Sequence, residues 1–156
     1  MQAFVGLTQF PQGRLRLSDV NREQGTLRIG TGGKERWVPL SPPGQDQLLM
    51  YLDHACSTRR RGQESRSGEE YLFFTETYQP LTPNSITLLF GRLRARAGLE
   101  DGQVTPWLLR ETFAVQYLLT GGALVVLCEI LGLKDMTVAR RYQRLADAER
   151  EQEGYS

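Results

Sequence analysis

Three times in this chain a hydroxyl residue stands directly before a proline, at Ser41-Pro42, Thr82-Pro83 and Thr105-Pro106, and each time apolar residues follow at helical spacing. No other pattern constrains the fold as strongly. A serine or threonine oxygen accepts a backbone N–H that the first helical turn leaves open, and proline at the first position gives up only a hydrogen bond that would not form there. Behind Ser41, Leu48, Leu49, Leu52 and Ala55 share one face. Behind Thr82 come Ile86, Leu89, Phe90, Leu93 and Ala97, and behind Thr105 come Leu109, Phe113, Ala114 and Tyr117, with Gly121-Gly122 as the stop. A short, very apolar helix is expected from Ala123 to Leu131, ended by Gly132, and an amphipathic one from Thr137 to Ala148. The acidic end, 147–156, is expected to fray.

The front of the chain reads differently. Thr26-Leu-Arg-Ile29, the glycine-rich turn Gly30-Thr-Gly-Gly33 and Glu35-Arg-Trp-Val38 before Pro39 predict a β-hairpin. Tyr71-Leu-Phe-Phe-Thr75 is the best third strand, from its aromatic β-propensity. Between helix and strand, 57–68 is polar and glycine-bearing and reads as a flexible loop. The fold class expected is mainly α with a small antiparallel β-sheet (α+β), in one domain spanning 1–156. A chain of that length with 40% hydrophobic residues can bury a real core.

Charge limits what the surface can do. Nineteen basic side chains against eighteen acidic ones leave the chain nearly neutral, so any footprint for nucleic acid must come from local segregation. Three groups are candidates: Arg59-Arg-Arg61 with Arg66, the alternating Arg92, Arg94 and Arg96, and Arg140, Arg141 and Arg144. The alternating set spreads over more than one helical face, so part of it serves only solubility. Cys56 and Cys128 lie far apart in apolar helical contexts and read as free thiols of a reducing compartment. With one histidine, His54, and no close Cys/His pairs, no zinc site is supported. No apolar run approaches the roughly 20 residues that span a bilayer, and Met1-Gln-Ala-Phe4 is not a signal peptide. The compartment expected is the cytoplasm, in association with the nucleoid.

Four segments, in order, carry a family resemblance. Leu15-Arg-Leu-Ser-Asp-Val20 resembles "LRWSDV", and Gly30-Thr-Gly-Gly-Lys-Glu-Arg-Trp-Val-Pro-Leu40 resembles "GKGGKERVVPL". Thr105-Pro-Trp-Leu-Leu-Arg-Glu-Thr-Phe-Ala114 resembles "TPHDLRHTFA", and Ile130-Leu-Gly-Leu133 with Thr137, Val138 and Tyr142 resembles "LLGHxxxxTTxxY". These are segments of the catalytic domain of tyrosine recombinases, the phage-integrase family. The resemblance implies a transesterification at a DNA phosphodiester, without a cofactor or metal. A tyrosine hydroxyl attacks phosphorus, arginines and further donors hold the non-bridging oxygens, and a hairpin lysine protonates the departing sugar oxygen.

Carried over position by position, Tyr142 stands at the nucleophile and Arg110 at the second arginine. Thr8 occupies the place of the first arginine, Thr31 that of the hairpin lysine, Glu111 that of the residue after the second arginine, and Leu133 that of the histidine after "LG". Trp107 replaces the first histidine of "HxxR"; it could donate its indole N–H or pack in the core. Lys34 could stand in for Thr31, although three residues along a hairpin change face and distance. Tyr142 itself could be a nucleophile or a packing residue, and Arg110 could hold a phosphate or pair with Glu111 or another carboxylate. Lys34, Arg36, Arg140, Arg141 and Arg144 are the candidate DNA-backbone contacts. Relatives carry a helical core-binding domain ahead of this one, and the resemblance implies that it and the first helices of the catalytic domain are missing here.

The expectation is a DNA-binding, integrase-like protein whose strand cleavage is lost or severely impaired, with double-stranded DNA as partner. The alternatives are a working recombinase using Tyr142, Arg110, Lys34 and Trp107, as a homo-oligomer or with another subunit, and an interaction module that docks on another recombinase.

Overall fold

In the computed structural model, residues 15–30, 33–59, 71–75, 77, 79–99 and 104–154 are described. Thr8, Thr31, the Cys56 side chain and most of the expected loop 57–68 lie outside them. The described residues fall into two compact units, 15–86 and 87–154.

The first unit is built on a three-stranded antiparallel sheet in the order β1 (Val20–Asn21), β2 (Thr26–Ile29), β3 (Arg36–Pro39). The β2–β3 hairpin is as expected, with Leu27 opposite Val38 and Arg28 opposite Trp37. Alternation sends Leu27, Ile29 and Val38 inward and leaves Trp37 exposed. Gly30 has φ 119°, and a Cβ there would collide with the Lys34 carbonyl, so this turn residue has to be glycine. Leu17–Asp19 forms a 3-10 turn ahead of β1. Asp19 Oδ2 accepts from the Arg16 backbone N–H at 2.9 Å, while its Oδ1 accepts from Arg28 Nη2 and Nε at 2.7 and 2.9 Å. One carboxylate thereby fastens the first family segment to the hairpin, and it raises the Arg28 pKa, chiefly through that hydrogen bond.

The third strand differs from expectation. Among the described residues Tyr71–Thr75 makes isolated bridges, Arg16 to Tyr71 and Phe74 to Pro80, and the sheet takes Val20–Asn21 instead. Competing hydrogen bonds explain why. The Leu72 N–H donates to the Leu15 carbonyl at 2.7 Å, and the Leu72 carbonyl accepts from the Tyr51 hydroxyl at 3.0 Å. Thr75 turns back on the Gln79 carbonyl, and Pro80 has no N–H with which to extend a ladder. Tyr51 comes from α1 (Pro42–Arg59), whose ring lies 5.4 Å from that of Phe73 and whose Leu48 and Leu52 are buried. Ser41 Oγ accepts from the Gly44 N–H at 3.3 Å, as its position before Pro42 predicts. The helix runs to Arg59, past the start expected for the loop at 57.

The unit boundary falls inside α2 (Pro83–Ala97), whose Thr82 Oγ1 accepts from the Ser85 N–H at 3.1 Å. The second unit continues with α3 (Pro106–Leu119), α4 (Leu124–Leu131) and α5 (Met136–Gly154). Thr105 Oγ1 caps α3 through the Leu108 N–H at 3.1 Å. Gly132, at φ 62°, closes α4: its N–H reaches the Glu129 carbonyl and the Leu133 N–H reaches that of Cys128, the paired bonds of a left-handed helix end. Ala114 on α3 and Ala139 and Ala146 on α5 are fully buried, small residues that let the two helices approach closely.

At the C-terminal end α5 is helical to Gly154, well into the segment 147–156 that the sequence marks as acidic. Asp147 Oδ1 accepts from Gln143 Nε2 at 2.9 Å and Arg150 Nη1 at 3.0 Å, and Arg150 Nη2 also donates to the Leu118 carbonyl at the end of α3. A terminal turn with a tertiary hydrogen bond is held in a way its composition does not reveal.

Candidate recombinase site

The cap at Thr105 sets the phase of α3, and that phase turns Arg110 inward. Arg110 is only 3% exposed, and its Nη2 donates to the carbonyl of Leu131, the last residue of α4, at 2.8 Å. A helix leaves its final carbonyls without intrahelical partners, so a guanidinium is well matched to that end. Tyr142, in the middle of α5, is fully buried. Its hydroxyl approaches the Arg110 guanidinium closely enough to favour the charged form, but makes no hydrogen bond of good geometry among the described residues. Burial is the larger influence on Arg110 and lowers its pKa, with Tyr142 opposing it.

The residue after Arg110 behaves differently. Glu111 is half-buried at the edge of α3 and accepts through Oε1 and Oε2 from Arg141 Nη2, at 3.2 and 3.3 Å. Arg141 is the residue immediately before Tyr142 and lies mostly in solvent. Sequence offered Glu111 as a surface partner for Arg110; the helix places it beside Arg141 instead. Adjacent residues on a helix are about 100° apart, so an inward Arg110 leaves Glu111 to one side.

Trp107 is 53% exposed, so it is not a core residue, and its position one turn before Arg110 leaves the indole largely in water. Leu133 is half-buried and commits its N–H to closing α4. Arg140, Arg141 and Arg144 are exposed along α5. In the other unit, Lys34 is exposed beside the hairpin turn and Arg36 is half-buried on β3. The second unit therefore brings together Arg110 with Tyr142 and Glu111 with Arg141, whereas Lys34 and Arg36 belong to the hairpin of the first. Sequence reasoning missed the Leu131 carbonyl, although the Gly132 stop signalled a helix end with open acceptors. It also missed Asp135, whose Oδ1 accepts from the Thr137 N–H at 2.8 Å and whose pKa is lowered by that bond, so that Asp135 caps the tyrosine-bearing helix.

Arginine beside tyrosine, on helices that follow a small antiparallel sheet, defines the class: a tyrosine recombinase catalytic domain. The phage integrase family model matches residues 12–149, and the chain belongs to that family. It is 34% identical over 130 residues to tyrosine recombinase XerD of Xanthomonas campestris pv. campestris, covering 81% of this chain and 40% of that protein. To tyrosine recombinase XerA of Pyrococcus furiosus it is 30% identical over 136 residues, covering 84% and 43%. The chain thus spans less than half the length of these relatives. Among solved structures, a XerA recombinase superposes with a TM-score of 0.79 at 25% identity, covering 97% of this chain and 53% of that one. The Tn1549 transposon integrase in complex with a circular intermediate DNA gives 0.70 at 18% identity, covering 97% and 57%; it bears on the fold alone.

Proposed function

We propose that this chain is a DNA-binding domain of a recombination or integration protein in which strand cleavage is lost or severely impaired. One contrast within α5 carries the reading: Arg140, Arg141 and Arg144 are exposed, whereas Tyr142 between them is fully buried. A hydroxyl with no solvent exposure cannot reach a phosphorus atom unless the helix moves, and Arg110 is bonded to a backbone carbonyl. Arg140, Arg144 and Lys34 reach solvent and can contact a phosphate backbone without rearrangement of the helices, and Arg141 and Arg36 flank them. Thr8, Thr31 and Leu133 add to this, because by resemblance each stands where the reaction needs a donor. Removing one transition-state donor typically costs about 10²–10³ in rate. Two structural neighbours, the Tn1549 transposon integrase and the XerH recombinase, are in complex with a circular intermediate DNA and with a palindromic difH substrate, and duplex DNA is the partner proposed here. A cytoplasmic, nucleoid-associated location belongs to the same reading.

The test is binding to mixed-sequence duplex DNA by fluorescence anisotropy across a salt series, followed by a search for covalent adducts on nicked substrates. Affinity falling steeply with salt and no adduct supports the reading; no binding at low salt refutes it. Adducts that vanish in Tyr142→Phe would instead establish the working-recombinase reading, which the juxtaposition of Arg110 and Tyr142 favours. The third reading, docking on another recombinase subunit or a second copy, has its own observation. A groove of about 310 Å³ between α3 and α5 is lined by Val115 and Leu145 and edged by Glu111 and Glu149. Partner binding without DNA affinity would select it.

A further inference from the structure

We infer that Glu111 acts as an internal phosphate mimic that withholds Arg141 from the DNA backbone. The inference rests on the DNA-binding reading and adds to it a residue that sets how strongly the domain engages DNA.

Among the described residues, Arg141 is the one of the three exposed arginines around Tyr142 that is held by a carboxylate of another helix. Both Glu111 oxygens accept from the same Nη2, the contact that two non-bridging phosphate oxygens would make with that nitrogen. The carboxylate is 19% exposed and the guanidinium 52%. The anion is therefore seated in the α3–α5 groove while the cation reaches toward solvent, so exchange would move the arginine and leave the glutamate in place. An ion pair this exposed contributes little to stability. Such a pair is weak enough for a polyanion to compete with and strong enough to shift an equilibrium. The pair also neutralises the negative charge that Glu111 would otherwise hold near Arg110, the position where an anionic substrate is least compatible with a carboxylate.

The experiment is duplex-DNA anisotropy over a salt series with wild type, E111Q, R141Q, the double variant and E149Q, after circular dichroism has verified each fold. Glu149 lines the same groove and controls for loss of one negative charge. E111Q should bind roughly twofold to fivefold more tightly at low salt, the range of an exposed ion pair. Its salt dependence should steepen by about 0.9 in log–log slope, one additional phosphate contact. Both gains should vanish when Arg141 is also replaced. E111D, which keeps the charge, should stay close to wild type and serves as the second variant. Equal gains in E111Q and E149Q, a gain that survives R141Q, or a gain in E111D would overturn the inference while leaving DNA binding intact. Binding by E111Q where wild type shows none would support it in its strongest form. If no variant binds at the lowest salt, the DNA-binding reading falls and the inference falls with it.

Discussion

The hairpin and the helical trio both carry family segments, yet they treat their charged side chains in opposite ways. On the hairpin, Arg28 is held by Asp19 in view of solvent and Lys34 stands exposed beside the turn. Among the helices, Arg110 is buried on the Leu131 carbonyl and Tyr142 is sealed beside it. A surface cation can contact a phosphate with little reorganisation, whereas a buried arginine must first give up a hydrogen bond in a medium where that bond is strong. A match to a family segment in the sequence therefore says little about availability. Arg110 and Tyr142 lie in the interior of the helical unit, whereas Lys34 and the arginines of α5 lie at the surface.

The largest expected effect tests the buried side of this comparison. Arg110→Ala should cost about 2–4 kcal/mol in chemical denaturation, because a buried cationic hydrogen bond is lost and a space is left behind. Lys34→Ala should stay within about 0.5 kcal/mol. Equal costs for the two would break the contrast. Gly132→Ala should cost about 1–2 kcal/mol, since an L-residue at φ 62° is strained and this turn supplies the carbonyl that Arg110 uses. A cost near zero would show that the turn does not fix the site.

Tyr142→Phe sharpens the comparison from the other direction. The buried hydroxyl makes no well-formed hydrogen bond among the described residues, so its removal should be neutral or stabilise by up to about 1 kcal/mol. A loss above that would reveal a bond that matters. The smallest effect concerns acid. Thr137 hydrogen bonding lowers the Asp135 pKa in the folded protein, so the contribution is present above the unfolded value, near 3.8, and is lost as pH falls through the lower folded value. Asp135→Asn should therefore flatten the stability–pH curve below about pH 4 and leave the curve above pH 5 without added slope. Unchanged acid sensitivity in Asp135→Asn would remove Asp135 as a cap of the tyrosine helix.

Much of the fold was legible because local chemistry dictated it. The caps at Ser41, Thr82 and Thr105, the stop at Gly132 and the turn at Gly30 each follow from a single residue's hydrogen bonding or backbone freedom. The third strand was not legible, since Tyr71–Thr75 has the higher β-propensity and loses its ladder to Leu15, Tyr51 and Pro80, all distant in sequence or unable to donate. The tertiary tie at the last turns of α5 was not legible for a similar reason: the Arg150 bond to the Leu118 carbonyl joins residues 32 positions apart. At the site, Arg110 and Tyr142 were identified by resemblance, but the sequence left open whether either faced a phosphate, a carboxylate or the core.

From the amino-acid order alone came the helix starts and stops, the hairpin, the family and the positions of Arg110 and Tyr142. These depend on interactions within a few residues of each other, or on a pattern that can be read as a string. Tertiary structure alone decided that Tyr142 is sealed, that Arg110 binds the Leu131 carbonyl and that Glu111 meets Arg141 rather than its neighbour Arg110. The physical reason is that partners 21 and 30 residues apart are chosen by how helices pack, and a rotation of one helix by one residue would exchange them.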